Sequence, residues 1–428
     1  MDIHSELAWR GLIHQTTDDQ CLPNWLQDGA RTFYVGFDPT ADSLHVGNLL
    51  QLMTTRRFQR VGHTPIALVG GATGMIGDPS GKSEERNLLS VDALRQNVAG
   101  IESQLRRILD FDAGLNSASL VNNFDWMATF NYLEFLRDVG KHFPINVMLA
   151  KDSVKGRLQR DDGGISYTEF SYMLLQAFDF VHLYDAYGCQ LQVGGSDQWG
   201  NITAGIDLAR RMRGVQLYGM TSPLLTKSDG SKMGKTESET VWLSAERTSP
   251  YAFYQYWINV DDADAGTCLR MLTELGRDEI EALDAAREAQ PHLRESQKRL
   301  AESLTQLVHD DEGLASALRA TEIFFGAEIG EEYSERQLGE IFSDVSSSTL
   351  SRDRLTGDVL SVIDALGEVG LAKSKGEARR MIEQGGSYVN NRRVASINAR
   401  LTEADLVGQT MIVLRTGRKK YAILRFGD

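Results

Sequence analysis

A chain of 428 residues that is 42% hydrophobic has ample core for two or three domains, and no apolar run reaches the ~18 residues that a membrane span requires. Three cysteines without a CxxC pair and eight histidines without HxxxH or HExxH spacing argue against a disulfide framework and a bound zinc; the opening Met-Asp-Ile-His-Ser-Glu lacks the basic and apolar regions of a secretion signal, so a cytoplasmic setting is expected. The formal charge of −14 argues against a nucleic-acid partner only as an average, because residues 371–428 hold 12 Lys and Arg against 5 Asp and Glu, a net +7 that leaves −21 for the rest.

In chain order, residues 5–15 read as a short amphipathic helix, followed by Arg-Thr-Phe-Tyr-Val-Gly at 31–36, whose β-branched and aromatic residues suit a buried strand. Pro39, Asp42 and Ser43 break that strand, and an apolar helical period starts near His45 and runs to about Gln59. A strand that feeds a helix start is where open α/β sheets bind phosphate, since free backbone N–H groups and the helix dipole favour an anion there. Gly47 adds a surface without a Cβ for a flat base, and Thr40 and His45 can donate hydrogen bonds to phosphate. An ordinary β–α turn with a capping histidine accounts for the same residues equally well.

A second strand at 64–70 enters the glycine-rich loop Gly70–Lys82. This is not a Walker A loop: only three residues separate Gly77 from Gly81 where four are needed, and Pro79 removes a donor. Helical patterns at 91–109, 129–138 and 144–158 flank a strand at 119–123. Within the apolar helix at 165–180, Tyr172, Gln176 and Asp179 fall at i, i+4 and i+7, so three polar groups share one face, which either lines a pocket or meets solvent. A strand at 189–193 opens into Gly194-Gly-Ser-Asp-Gln-Trp-Gly-Asn201 and a helix to about Arg213. In the run Lys227-Ser-Asp-Gly-Ser-Lys-Met-Gly-Lys-Thr236, Lys232 and Lys235 make a cationic clamp in a loop. Helical patterns near 249–260, 262–274, 277–289, 291–310 and 311–324 come next, then a Ser-rich stretch and a basic domain.

The turn His45-Val-Gly-Asn48, the run 194–201 and the loop Lys232-Met-Gly-Lys-Thr236 resemble the His-x-Gly-His turn, the intervening segment and the Lys-Met-Ser-Lys-Ser loop of the class I aminoacyl-tRNA synthetases. The likeness to the bacterial tyrosyl branch of that family covers nearly the whole chain. It implies an α/β fold: a Rossmann-like parallel-sheet catalytic domain at 1–222, a lysine-loop and all-α domain at 223–324, a linker at 325–356, and a small α+β RNA-binding domain of ribosomal-protein type at 357–428. It further implies that ATP, entering with Mg2+ and without a tightly bound metal, activates tyrosine for transfer to tRNA(Tyr), and that the enzyme is a homodimer.

By the same resemblance Tyr34 and Asp179 hold the substrate phenol, Asp78, Asn123, Tyr172 and Gln176 serve its ammonium group, and Gln198 lines the pocket. Asp38, Gly47, Asp197 and Lys235 serve ATP, while Thr40, His45, Asn48, Lys82, Arg86, Lys232, Lys235 and Thr236 act during the reaction. Lys373, Lys375, Arg379 and Arg380 face the tRNA backbone. Two departures stand out. Asn48 replaces the second motif histidine and can donate but not carry charge, and Gly234 replaces a serine and is expected to loosen the loop. A tryptophan-specific relative, a different adenylyltransferase and a catalytically inactive RNA-binding relative are the competing readings.

Overall fold

The strands expected around the first turn build a six-stranded sheet in the computed structural model, which describes the chain apart from residues 1, 81–89, 152–153, 156–157, 159–164, 235–239, 331–332, 343–344, 357–359, 419 and 428. They are β1 (Gln15–Thr16), β2 (Thr32–Phe37), β3 (Thr64–Val69), β4 (Ser119–Asn122), β5 (Leu191–Gly195) and β6 (Tyr218–Ser222), in the order β1-β6-β5-β2-β3-β4. All neighbours are parallel except β1, which runs antiparallel to β6. From β2 the chain steps outward to β3 and β4, then returns to lay β5 and β6 on the other side. Strand order therefore reverses between β2 and β5, and the crevice beyond their C-terminal ends is where such sheets take ligands.

Parallel strands covered on both faces require nearly continuous apolar sequence, and five of the six residues of β3 are buried. Adjacent residues of β2 point to opposite faces. Phe33 packs on Phe58 of α1 (Val46–Arg60) with ring centroids 4.9 Å apart, and Tyr34 meets Phe180 of α2 (Tyr167–Tyr187) edge-on at 5.2 Å. A third helix, α3 (Trp199–Arg213), follows β5. Beyond the sheet lie α4 (Pro250–Ile258) and α5 (Asp262–Leu272). The C-terminal carbonyls of α5 are claimed by two buried arginines: Arg10 donates to Arg270 O at 2.8 Å and Arg57, from α1, to Met271 O at 2.9 Å. Burial pushes the Arg57 guanidinium down to about 9, with Arg10 adding to the effect, so it keeps its charge at neutral pH.

The described chain divides into two compact units, Met1–Thr248 with Tyr256–Val308, and Ser249–Gln255 with His309–Asp428. The expected helical segments 291–310 and 311–324 meet at Asp310, whose φ of 61° interrupts the helix Glu295–Phe324. The second unit holds a five-stranded sheet ordered β7-β11-β10-β8-β9, from β7 (Ser347–Ser351), β8 (Ser387–Val389), β9 (Arg392–Arg393), β10 (Met411–Thr416) and β11 (Lys420–Gly427). The stretch 325–356, expected as a linker, differs from that expectation: it contains a helix at Glu335–Ile341 and the strand β7, paired parallel to β11. A polar Ser-Ser-Thr-Leu-Ser run suits an edge strand whose outward side chains meet water, and its composition is indistinguishable from a linker's.

Candidate active site

The turn after β2 is shaped by its own side chains. His45 is the N-cap of α1, where its Nδ1 accepts the Gly47 N–H at 3.0 Å, and Asn48 Oδ1 accepts the His45 N–H at 3.0 Å. Two otherwise orphaned donors of the first turn are thus satisfied reciprocally. A Cβ on Gly47 would stand 2.8 Å from His45 Cε1, so the glycine lets the imidazole fold back over the helix start. The capping reading of this turn is the one these contacts show. Thr40 lies exposed on the same turn, its N–H donating to Asp38 O at 2.8 Å.

Deeper in the crevice, α2 presents Tyr172, Gln176 and Asp179 on one face as their spacing predicts. Asp179, only 1% exposed, accepts from Trp126 Nε1 at 2.9 Å and from Asn123 Nδ2 at 3.0 Å. Burial pushes its carboxyl up to about 7, the two hydrogen bonds pull it back, and the charge of Asp38 adds to the rise. Tyr34 is also 1% exposed, and its phenol is held well above the ordinary tyrosine range by burial first and by Asp179 next. Its hydroxyl is buried without a hydrogen-bond partner among the described residues. A buried, unpartnered neutral hydroxyl beside a carboxylate is a polar position that a hydrogen-bonding group from outside the chain would satisfy.

At the other end of this face Tyr172 donates to Asp38 Oδ2 at 2.9 Å, and Thr73 Oγ1 donates to Asp38 Oδ1, also at 2.9 Å. With its proton committed, the Tyr172 oxygen offers lone pairs to a cation. Asp78 accepts from Gln198 Nε2 at 2.7 Å and from the Ser80 N–H at 2.9 Å. Gln176 donates to Gln198 Oε1 at 3.2 Å and accepts from Asn201 Nδ2 at 3.0 Å. Loops after β2, β3 and β5 therefore converge with α2 on one polar chain of contacts.

Two of the expected site residues make contacts that their spacing did not foretell. Asn123, expected at the ammonium site, donates to Asp179 Oδ2 at 3.0 Å and to Thr73 Oγ1 at 3.1 Å and accepts the Ala72 N–H at 2.7 Å, because β4 ends beside β3 and its following residue lies between the two. Asp38, assigned to ATP, spends both carboxylate oxygens on Thr73 and Tyr172 at the amino-acid end. Sequence reading passed over Thr73, Trp126 and Asn201. Asn201 was the most visible, three residues beyond Gln198 on the same helical turn.

On the outer side of the crevice, Asp197 follows β5 at an exposed position, and its carboxyl is pushed up by the surrounding protein and by Asp78, while Lys232 draws it down. Lys232 thus acts electrostatically on the Asp197 side of the crevice. Gly234 departs from expectation: φ is +85°, its N–H donates to Tyr256 Oη at 2.7 Å, and a Cβ there would lie 2.8 Å from Val46 Cβ. It packs tightly because only glycine tolerates both that dihedral and that approach. Lys82, Arg86, Lys235 and Thr236 lie outside the described residues.

Described by itself, the second unit carries Lys373, Lys375, Arg379 and Arg380 exposed on and before α6 (Lys375–Glu383), whose Ala378 and Ile382 are buried. Lys375 Nζ pairs with Asp364 at 2.6 Å, and the Lys373 N–H donates to Glu377 at 2.7 Å.

A family model for class I tRNA synthetases (W and Y) matches residues 27–326, and one for the C-terminal domain of tyrosine–tRNA ligases matches 337–424. Fold and crevice are those of a class I aminoacyl-tRNA synthetase of the tryptophan and tyrosine group. Curated relatives include tyrosine–tRNA ligases of Rhodopirellula baltica, 58% identical over 99% of this chain and 96% of the relative, and of Geobacillus stearothermophilus, 48% identical over 100% of each. Among solved structures, a C-terminally truncated mitochondrial tyrosyl-tRNA synthetase of Aspergillus nidulans is 30% identical with a TM-score of 0.67, covering 75% of this chain and 94% of that one. A tryptophanyl-tRNA synthetase of Plasmodium falciparum, 15% identical with a TM-score of 0.54 over 79% of this chain and 87% of that one, shares the fold. The chain belongs to the tyrosine–tRNA ligase family.

Proposed function

We propose that the chain activates L-tyrosine with ATP to tyrosyl-adenylate, releasing pyrophosphate, and then passes the tyrosyl group to the 3′ end of tRNA(Tyr). The single observation that carries the choice of amino acid is the buried, unpartnered Tyr34 hydroxyl beside Asp179. A substrate phenol donates to Asp179 and accepts from Tyr34, completing both. Its ammonium group meets Asp78, Gln176 and the lone pairs of Tyr172.

The attacking group is a carboxylate already ionised at neutral pH, so the first step needs no general base. Catalysis reduces to positioning and to neutralising charge on the departing pyrophosphate. Thr40, His45, Asn48 and Lys232, with Lys82, Arg86, Lys235 and Thr236, supply that charge and those donors, and Gly47 and Asp197 hold the nucleoside. Mg2+ enters with the ATP phosphates. The basic helix of the second unit gives tRNA affinity through phosphate contacts, with no choice of sequence.

Residues 1–222 carry the chemistry, the loop and helices that follow supply the lysine clamp, and 357–428 bind RNA, in the cytoplasm. Exposed Tyr132, Leu133, Ile145, Val147 and Leu149 on two short helices favour burial against a second copy, making a homodimer that sedimentation would register. The testing experiment is ATP–pyrophosphate exchange with each of the twenty amino acids. Exchange that depends on tyrosine alone supports the reading, and tryptophan-dependent exchange, or none with any amino acid, overturns it.

A further inference from the structure

Lys232 lies in a hairpin held by backbone bonds and by side-chain acceptors, among them Asp229 Oδ1, which accepts the Ser231 N–H at 2.7 Å. Thr226 and Lys232 form an antiparallel bridge, the Met233 N–H donates to Leu225 O at 3.1 Å, and the Ser231 O accepts from the Lys227 N–H at 2.8 Å. The far flank is sewn to the His45 turn: the Val241 N–H donates to Gly234 O at 2.8 Å, the Val46 N–H to Val241 O at 3.0 Å, and the Leu243 N–H to Leu44 O at 2.8 Å. Val241 thus joins the hairpin directly to the first turn of α1.

Beside Asp264 of α5, whose Oδ1 accepts the Ser228 N–H at 2.7 Å, a second side chain enters this arrangement from outside. Tyr256, on α4, accepts the Gly234 N–H at 2.7 Å. Its ring is held edge-on against Trp257 at 4.9 Å, and Trp257 is fully buried, so the hydroxyl sits on a rigid support. Met233, one residue earlier, is 5% exposed with its Sδ 3.3 Å from Cys268 Sγ of α5. The peptide plane between Met233 and Gly234 is therefore fixed on both sides, which sets the unusual φ of +85° at Gly234. Burial pushes the phenol of Tyr256 up to about 12, so it stays protonated across the working range.

We infer that Tyr256 is a positioning residue for adenylate formation: its hydroxyl latches the Gly234 peptide and so fixes Lys232 relative to the His45 turn. The inference rests on the reading of Lys232 as a phosphate-binding cation. It makes the lysine strand part of the site before ATP arrives, so that ordering it costs nothing when charge develops.

The test compares Tyr256→Phe, Gly234→Ala and Lys232→Ala in the full-length chain. Tyr256→Phe is expected to slow single-turnover adenylate formation about tenfold, the scale of one backbone hydrogen bond, with the tyrosine KM and the transfer of tyrosine from preformed adenylate to tRNA held within twofold. Gly234→Ala, which must clear Val46, is expected to impair the same step more, and it decides the matter if Tyr256→Phe does not fold. An unchanged adenylation rate in Tyr256→Phe, or an equal fall in tyrosine affinity and transfer, overturns the latch. A normal rate in Lys232→Ala instead overturns the phosphate-binding reading beneath it, so the two failures are separable.

Discussion

In the amino-acid pocket the holding is done by side chains: Asp179, Asn123, Trp126, Thr73, Asp38 and Tyr172 are joined by consecutive hydrogen bonds of 2.9–3.1 Å, nearly all out of water. In the hairpin around Lys232 backbone bonds do most of the holding, with Asp229, Asp264 and Tyr256 as side-chain acceptors, and most side chains are exposed apart from the buried Leu225 and Met233. A buried network of side chains fails when one member is removed, because its neighbour is left desolvated and unpaired. A backbone ladder tolerates substitution, provided each residue can adopt its dihedrals. The proposed function thus puts selectivity for the amino acid where substitution is least forgiving. Lys232, the described cation proposed to meet phosphate, is exposed on a hairpin whose neighbouring side chains are largely exposed too.

This contrast is most easily broken at Asp179. Asp179→Ala is expected to lower tyrosine-dependent pyrophosphate exchange on the order of 10³-fold, since Asn123 and Trp126 lose a shared charged acceptor along with the substrate. Near-normal exchange would place selectivity elsewhere. Tyr34→Phe removes a neutral partner and is expected to reduce kcat/KM for tyrosine about tenfold, with a smaller preference over phenylalanine in competition assays.

Titration sharpens the same point. The Asp179 carboxyl stands at about 7 in the folded protein against 3.8 in an open chain, so between about 4 and 7 the folded state holds the extra proton. Its contribution to stability is therefore greatest at the acid end of that window and is lost as pH rises through 7. Tyrosine binding, which needs the carboxylate, strengthens over the same rise. Melting of wild type against Asp179→Asn from pH 4 to 8, with the tyrosine KM measured alongside, checks both directions. A Tm difference that does not vary with pH would show that Asp179 is ionised throughout.

The smallest effect is expected in the second unit. Arg379→Ala should weaken tRNA binding a few-fold and reduce the slope of log K against log salt by about one, read from filter binding across a salt series. A loss confined to one tRNA species would instead mark a base contact.

Much of this was legible in the residues. The period of the helix carrying Tyr172, Gln176 and Asp179 predicted a shared polar face, and the glycine and lysine runs marked the loops. The bonds of Asn123 to Asp179 and of Asp38 to Thr73 and Tyr172 were not legible, because sequence spacing says nothing about which strand end a neighbouring strand will present. Gly234 was read as slack, since from the sequence a glycine shows only its freedom; the Val46 contact and the Tyr256 hydroxyl that consume that freedom are remote in sequence. The Ser-rich strand β7 was hidden for a related reason, as its place is set by pairing with β11.

Local periodicity, turn chemistry and charge segregation are properties of neighbouring residues, so the chain alone determined its α/β core, its basic last domain and the inventory of reacting groups. Which of those groups share a hydrogen bond, and that a buried phenol on β2 lies beside a carboxylate on α2 with its hydroxyl unpaired, depended on how the strand order reverses between β2 and β5. Contacts across that reversal join residues more than a hundred positions apart, where only tertiary packing assigns partners.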